Sequence, residues 1–319
     1  MGMERELHGY DAAKAIGLPG PRHAVQARFM APPEQFEGCF TTFYHLELDV
    51  ADGGVVEDYL QPEWANLRFF GGELPASWLE GHELSDVRFT ATGPSSRPCR
   101  FQLGTSRMWG IGLLPLGWAR FLEVEAVEFA NAMLDGAQHP AFAKFECLSD
   151  VLCDPTVEPE EQLGVIYETM ERLMRPNRDE PKIKRVHAAL VSGEHLAVSE
   201  LADACGMSIR TLERVCHRYF GFAPKLLLRR QRFMRSLSSF MLHQARGGEG
   251  RWTEAMDGEY HDQAQFTREF SEFMTMTPSK YAALEHPILA SFMEARARIW
   301  GSPAQTLDLP SRDTGADES

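Results

Sequence analysis

Three polar side chains at helical spacing, Arg210, Glu213 and Arg214, could read the edges of DNA base pairs. Residues three and four apart share one face of a helix. An arginine on such a face can donate two hydrogen bonds to guanine, and a glutamate can accept one from the cytosine amino group. Residues 205–235 hold eight arginines or lysines and one acid. A local basic patch of this kind suits contacts with phosphates, which act over about 10 Å in salt. On charge alone, an ordinary solvated helix face explains the pattern equally well.

The residues around these three predict a helix-turn-helix between 198 and 221. Gly206 follows Ala202 by four residues, where a tight turn needs a left-handed residue. Ser208 is a good N-cap for the second helix, whose first half would enter the major groove. The remaining polar side chains of this half are predicted to contact phosphates: Ser208, Thr211, Arg218, Lys225, Arg229 and Arg230. Some of these arginines could instead be partners in internal ion pairs.

The segment FGFAPKLLLRRQRFMRSL (220–237) resembles the AraC/XylS family, in which this helix joins two helix-turn-helix units. The second unit is similar to residues 255–281. The matching positions there are Tyr260, Asp262-Gln263, Phe266, Phe270, Phe273, Thr277-Pro278 and Tyr281. By position, Gln263, Gln265 and Arg268 would face DNA. Asp262 and Gln265 predict a capping box at the start of this helix. The resemblance implies a sequence-specific transcriptional regulator.

The second unit departs from the family pattern. Glu259 stands where the turn glycine belongs, which costs about 1 kcal/mol if the left-handed geometry is kept. Residues 252–281 also carry six acids against two basic residues. We therefore expect the first unit to dominate affinity. The alternative is a regulator-derived interaction module with weakened or lost DNA binding.

The first half of the chain is acidic and rich in short strands. Turn residues separate β-like runs at 39–50, 65–72, 86–93 and 108–117, a spacing typical of a β-sandwich or barrel. Helical periodicity follows at 118–134, 142–152 and 159–174. The family resemblance implies a cupin-like sensor domain. The predicted fold is α+β: a β-rich sensor and dimerisation domain over 1–177, an all-α domain over 178–300 and a disordered tail over 301–319.

Five aromatic residues are candidate contacts for an apolar effector in the N-terminal domain: Trp64, Phe69, Phe70, Trp109 and Trp118. Ordinary core packing is the alternative for each of them. The histidines are scattered without metal-ligand spacing, and no nucleophile motif or phosphate loop occurs. We therefore expect no enzymatic activity, no cofactor and no metal.

The sequence also predicts the cellular setting and the partners. The first residues lack a signal peptide and a myristoylation pattern, and no apolar run is long enough for a membrane span. The six cysteines form no Cys-x-x-Cys pair, which favours reduced thiols in a cytoplasmic protein. Expected partners are double-stranded DNA, a small-molecule effector and RNA polymerase. A homodimer could form through the N-terminal domain or the apolar stripe of 159–174.

Overall fold

The computed structural model describes residues 23–245, 252–301 and 303–310. The N-terminal residues on which we based the absence of a signal peptide and of myristoylation lie outside the described residues. Residues 311–319 of the predicted tail lie outside them as well.

The N-terminal half contains two antiparallel sheets. The larger has six strands in the order β1-β2-β9-β4-β7-β10, and the smaller has four in the order β3-β8-β5-β6. The strands are β1 (His23–Met30), β2 (Phe40–Val50), β3 (Val56–Leu60), β4 (Ala65–Gly72), β5 (Ala76–Leu79), β6 (His82–Ser85), β7 (Phe89–Thr92), β8 (Cys99–Leu103), β9 (Ser106–Leu113) and β10 (Met133–Asp135). The predicted strand-rich domain is confirmed as two open sheets rather than a closed barrel.

The second half is helical. The helices of the described ranges are α1 (Pro115–Phe121), α2 (Ser149–Leu152), α3 (Pro159–Leu173), α4 (Glu180–Ser192), α5 (Val198–Ala204), α6 (Ile209–Val215), α7 (Pro224–Ala245), α8 (Trp252–Ala255), α9 (Gln263–Met274), α10 (Pro278–Ala282) and α11 (Leu289–Trp300). This arrangement gives the predicted α+β fold, with a sheet-rich N-terminal domain and a helical C-terminal region.

The helix predicted over 118–134 is wrong beyond Phe121. The Trp118 indole donates to the carbonyl of Val124 at 2.9 Å, a contact that an extended loop allows. Asn131 then adopts φ = 55°, which breaks a right-handed helix. Met133–Asp135 instead pairs with the edge of β7 as β10, because that edge offers backbone hydrogen bonds.

The helix predicted over 159–174 is confirmed as α3, and its apolar stripe packs within the chain. Ile166 and Met170 are fully buried, and Leu163 and Leu173 pack against the same core. A dimer seam along this stripe would need these side chains at the surface, so the structure does not place one there. The segment predicted as a helix over 142–152 forms a 3-10 stretch (Ala143–Leu148) that continues into α2.

One hydrophobic core continues from the larger sheet into the first helix-turn-helix. It runs from Phe43 and Trp109 through Ile183 of α4 to Leu201 and Leu212. A separate cluster joins the second half of α7 to α9, α10 and α11. The second helix of this unit, α6, is therefore positioned by the packing of the N-terminal domain.

Residues 303–310 are ordered, although their composition predicted disorder. Gln231 donates through Nε2 to the carbonyl of Thr306 at 2.6 Å. Asp308 forms an ion pair with Arg296 of α11, with Oδ1 3.0 Å from Nη1. These buried partners supply the contacts that the short polar segment lacks by itself.

Candidate nucleic-acid interface

The turn between α5 and α6 has the left-handed geometry that Gly206 predicts. Gly206 adopts φ = 63° between α5 and α6. The Ser208 hydroxyl accepts from the backbone N–H of Thr211 at 3.3 Å, which confirms the N-cap of α6. The Glu200 carboxylate accepts from the N–H groups of Leu196 and Ala197 at the start of α5. Each helix therefore has a side chain that accepts from backbone N–H groups at or just before its start.

The inward face of this unit is apolar and buried. It consists of Leu201, Ala202, Cys205, Leu212 and Val215. Burial raises the pKa of the Cys205 thiol. This face holds α6 rigidly against α5 and α4.

The opposite face of α6 presents Arg210, Glu213 and Arg214 to solvent. In the part of the chain that the structure describes, Arg210 and Glu213 have no ion-pair partner. Arg214 only approaches Asp179, at 4.0 Å. Three exposed groups on one face of a capped helix are free to form hydrogen bonds with bases, but their contact with DNA stays a prediction.

The predicted phosphate contacts of the first unit remain accessible. Ser208 and Lys225 are exposed, and Thr211 is half-buried. The Arg218 guanidinium lies 5.5 Å from the Tyr219 ring. These residues stay candidate phosphate contacts.

Arg229 and Arg230 of α7, both predicted phosphate contacts, have partners within the protein. Arg230 is fully buried, and its guanidinium lies 3.9 Å from the centre of the Trp64 ring. It donates to the carbonyl of Ser95 at 3.0 Å. Arg229 pairs with Glu269 at 2.9 Å. The buried Arg230 cannot contact a phosphate from this position, whereas Arg229 is half-buried and its charge is paired with Glu269.

Acids of the second unit neutralise the arginines of α7. Arg232 pairs with Glu269 at 2.6 Å. Arg235 pairs with Asp257 at 2.6 Å and with Glu259 at 2.7 Å. A hydrogen bond from Arg229 lowers the pKa of Glu272. Most acidic side chains of this unit are therefore paired with arginines of α7, and only some of them face solvent.

Glu259 does not adopt the left-handed conformation of a turn glycine, because its φ is not positive. The expected steric cost therefore does not arise. The described part of the helix before this turn, α8, covers Trp252–Ala255. The backbone that leads into α9 therefore differs in conformation from the backbone that leads into α6.

The predicted N-cap of α9, Asp262, is confirmed, but Gln265 contacts the N–H of His261 rather than that of Asp262 and so does not complete the capping box. Asp262 accepts from the N–H of Gln265 at 2.6 Å, and the Gln265 side chain accepts from the N–H of His261 at 3.2 Å. Gln263 and Arg268 are exposed. Phe266 and Phe270, two positions that match the family pattern, are buried. Of the three predicted base contacts here, the side chains of Gln263 and Arg268 are free and that of Gln265 is engaged.

Four of the five aromatics predicted for an effector lie in the core. The Trp64 ring packs against the guanidinium of Arg230, and Phe69 stacks on Phe89 with ring centres 4.4 Å apart. The indole of Trp109 donates to Gln162 at 2.6 Å, and that of Trp118 is taken by the Val124 carbonyl. These contacts leave no free surface for a ligand.

Phe70 alone of the five lines a cavity of about 110 Å³, partly open to solvent. Sequence reasoning missed all of the other lining residues. They include Tyr44, Arg68, Phe101 and Met108 of the sheets, and Phe292 of α11. They come from distant parts of the chain, and no local pattern marks them as neighbours.

Two absences apply to the described ranges. No helix in them has the length and apolar character that a membrane span needs. The same ranges hold no group of three or more His, Cys, Asp or Glu residues arranged to hold a metal ion.

Comparison with known proteins finds a match to the helix-turn-helix pattern. A protein-family model described as a helix-turn-helix domain matches residues 201–283. No curated protein matches the sequence significantly.

Several solved structures are similar to the chain. An apo single-residue variant of ToxT from Vibrio cholerae strain SCE256 is 11% identical, covers 81% of this chain and 96% of its own, and has a TM-score of 0.39. ToxT from Vibrio cholerae O395 bound to (E)-4-(8-methylnaphthalen-1-yl)but-3-enoic acid is 12% identical, with coverages of 71% and 97% and a TM-score of 0.38. The AraC-like transcriptional activator CuxR is 12% identical, with coverages of 65% and 79% and a TM-score of 0.29.

Residues 201–283 therefore form a helix-turn-helix domain. The domain follows a sheet-rich N-terminal domain and shares a hydrophobic core with it.

Proposed function

We propose that this protein is a sequence-specific DNA-binding transcriptional regulator of the AraC/XylS type, controlled by a small molecule bound in its N-terminal domain. The observation that carries the proposal is the face of α6. Arg210, Glu213 and Arg214 are exposed there. The helix that carries them follows a left-handed turn at Gly206 and begins after the N-cap Ser208. Such a helix can enter the major groove with its first two turns.

The two recognition helices contribute unequally in this proposal. Arg210 and Arg214 contact guanines and Glu213 contacts a cytosine, while Gln263 and Arg268 of α9 make weaker contacts one helical turn away. Lys225 and Arg218 neutralise phosphates. The internal pairing of the α7 arginines leaves the first unit with most of the free positive charge.

Selection of bound sequences from a random duplex library by the full chain tests the proposal. A motif of about one half-site is expected if α6 dominates, and two half-sites about 10 base pairs apart if α9 also reads bases. Enrichment of no motif, with and without effector candidates, would instead favour the interaction module that lacks DNA binding.

Three finer properties complete the proposal. The protein acts by binding and has no catalytic activity of its own. It forms a homodimer through its N-terminal domain, and it contacts RNA polymerase when bound to DNA. The support for both contacts is the resemblance to AraC/XylS regulators. Light scattering after size-exclusion chromatography tests the dimer.

A further inference from the structure

The chain beyond the matched helix-turn-helix region returns to the sheet-rich domain. Asp58, fully buried at β3, accepts from the backbone N–H groups of Ile288 and Leu289 at 3.0 and 2.8 Å. It also contacts His286 Nδ1 at 2.9 Å. A carboxylate at the start of a helix satisfies its free donors and its dipole. A side chain of the sheet domain therefore caps α11.

The body of α11 then packs on the sheets. Phe292 lies 4.6 Å from the ring centre of Phe29 and 5.0 Å from that of Tyr44. Gln61 donates to the sulfur of Met293 at 3.2 Å. These contacts fix one face of α11 against β1, β2 and the loop after β3.

The cavity of about 110 Å³ lies between these two parts. Apolar side chains from both sides dominate its lining: Leu46, Leu60, Phe70, Phe101, Leu103 and Met108 from the strands, with Ile288, Phe292 and Met293 from α11 and its start. A space this large holds several water molecules, and such apolar walls favour an organic ligand over water.

The charged groups of the lining are already paired. Arg68 donates to both oxygens of Glu63, at 2.7 and 2.8 Å, and to the Tyr44 hydroxyl at 3.1 Å. Arg296 pairs with Asp308. A charged ligand would bring an uncompensated charge into this site, where it is costly.

Gln305, a lining residue, has a polar atom without a partner within the described part of the chain. The side-chain oxygen of Gln305 is buried and accepts no hydrogen bond. A buried acceptor without a donor costs about 1–3 kcal/mol, which a ligand hydroxyl or N–H group would recover.

We infer that this cavity binds an uncharged, mainly apolar molecule that carries a hydroxyl or N–H donor, and that the bound molecule touches α11 directly. Calling this molecule the effector rests on the proposed function. The binding site itself rests on the cavity, its paired charges and Gln305. Because α11 follows the second helix-turn-helix, the ligand contacts both the sheet domain and the chain that leaves the DNA-binding domain.

Two fluorescent probes that share a ring system separate the ligand classes. N-phenyl-1-naphthylamine is neutral and has one N–H donor, whereas 1-anilinonaphthalene-8-sulfonate adds a negative charge. Titration of the full chain should show binding of the neutral probe at least about tenfold tighter, a difference of 1.4 kcal/mol. Equal or tighter binding of the sulfonate would overturn the assignment of an uncharged ligand.

Variants that fill the cavity locate the site. Leu60→Trp and Met108→Trp add volume at partly buried lining positions. Each should weaken binding of the neutral probe at least about tenfold, a loss of 1.4 kcal/mol. Leu196→Trp is the control, because Leu196 is 61% exposed and lies outside the lining. Unchanged binding by both filled variants, with circular dichroism like that of the unmodified protein, would show that the probe binds elsewhere and overturn the inference.

The same samples distinguish this inference from the proposed function. A protein that selects a DNA motif but binds the neutral probe independently of the cavity disproves only the ligand site. A protein that selects no motif but binds the probe in this cavity retains the ligand site and loses the role of regulator.

Discussion

The guanidinium of Arg230 on α7 lies 3.9 Å from the centre of the Trp64 ring on the sheet domain. Burial without a carboxylate partner lowers the pKa of Arg230 to about 9. Its donation to the carbonyl of Ser95 places a second contact on the same domain. The helix that joins the two helix-turn-helix units is therefore fixed to the domain that holds the cavity.

A double-mutant cycle measures this contact. Trp64→Leu and Arg230→Met should each destabilise the protein, and their coupling energy should be about 2 kcal/mol, as for a desolvated cation–π pair. Urea unfolding of the four proteins gives the value. Arg178→Met, at an exposed arginine, serves as the control that leaves stability unchanged. A coupling energy near zero would mean that Arg230 and Trp64 pack without mutual attraction.

Gly206 and Gly164 both have room for a side chain but differ in backbone conformation, so the two together test the left-handed turn between α5 and α6. Added Cβ atoms would meet nothing within 4 Å at either Gly206 or Gly164. Gly206 has φ = 63°, whereas Gly164 lies within α3. Gly206→Ala should lower the free energy of unfolding by about 1 kcal/mol, and Gly164→Ala should raise it by about 0.5–1 kcal/mol. The same sign at both positions in thermal unfolding would contradict the left-handed turn.

The salt dependence of DNA binding reports which basic residues neutralise phosphates. Each phosphate contact adds about 0.9 to the slope of log K against log salt. Lys225→Ala should reduce the slope by about 1, because Lys225 is exposed. Arg229→Ala should leave it nearly unchanged, since Arg229 is paired with Glu269 and Glu272. An equal reduction in both variants would show that α7 rearranges on DNA.

Two buried histidines predict that stability falls in mild acid. Burial, reinforced by the nearby charge of Arg230, lowers the pKa of His187 from 6.5 to about 3. Burial lowers that of His45 to about 4, partly opposed by Glu47. Below pH 6.5 the unfolded chain binds protons that the folded chain does not. The free energy of unfolding should therefore fall by up to about 1.4 kcal/mol per pH unit for each histidine between about pH 6.5 and 4.

Variants assign this acid sensitivity to its source. In His187→Leu the slope of stability against pH over this window should decrease by up to about 1.4 kcal/mol per unit. His82→Leu, at an exposed position, should keep the slope. If His187→Leu retains the full slope in urea titrations at several pH values, another group causes the acid sensitivity.

Local signals in the sequence predicted the first helix-turn-helix well. The φ of Gly206, the cap at Ser208 and the buried position of Leu212 each depend on residues within one or two turns. The N-cap of α9 at Asp262 is equally local. Such short-range rules carry over directly from sequence to structure.

Contacts between distant parts of the chain were beyond the sequence pattern. In the sequence Arg230 resembles the other arginines of α7. It is buried because Trp64, which is distant in the chain, packs against it. The apolar pattern over 118–134 suits a helix, but the free edge of β7 takes Met133–Asp135 as a strand. The cavity likewise depends on α11 folding back onto Asp58. Tertiary partners decide each of these features.

The central claim is that the outward face of α6 reads DNA sequence. The most direct test compares the unmodified protein, Arg210→Ala/Arg214→Ala and the control Arg178→Ala on the selected duplex and on a scrambled duplex of equal length. Fluorescence anisotropy should show that the double variant loses about 2–6 kcal/mol on the selected duplex, as expected for two arginine–guanine contacts, and little on the scrambled one, while the control binds normally. Equal losses on both duplexes would mean that these arginines contact phosphates only, and full retention of the preference for the selected duplex would show that α6 is not the reading helix.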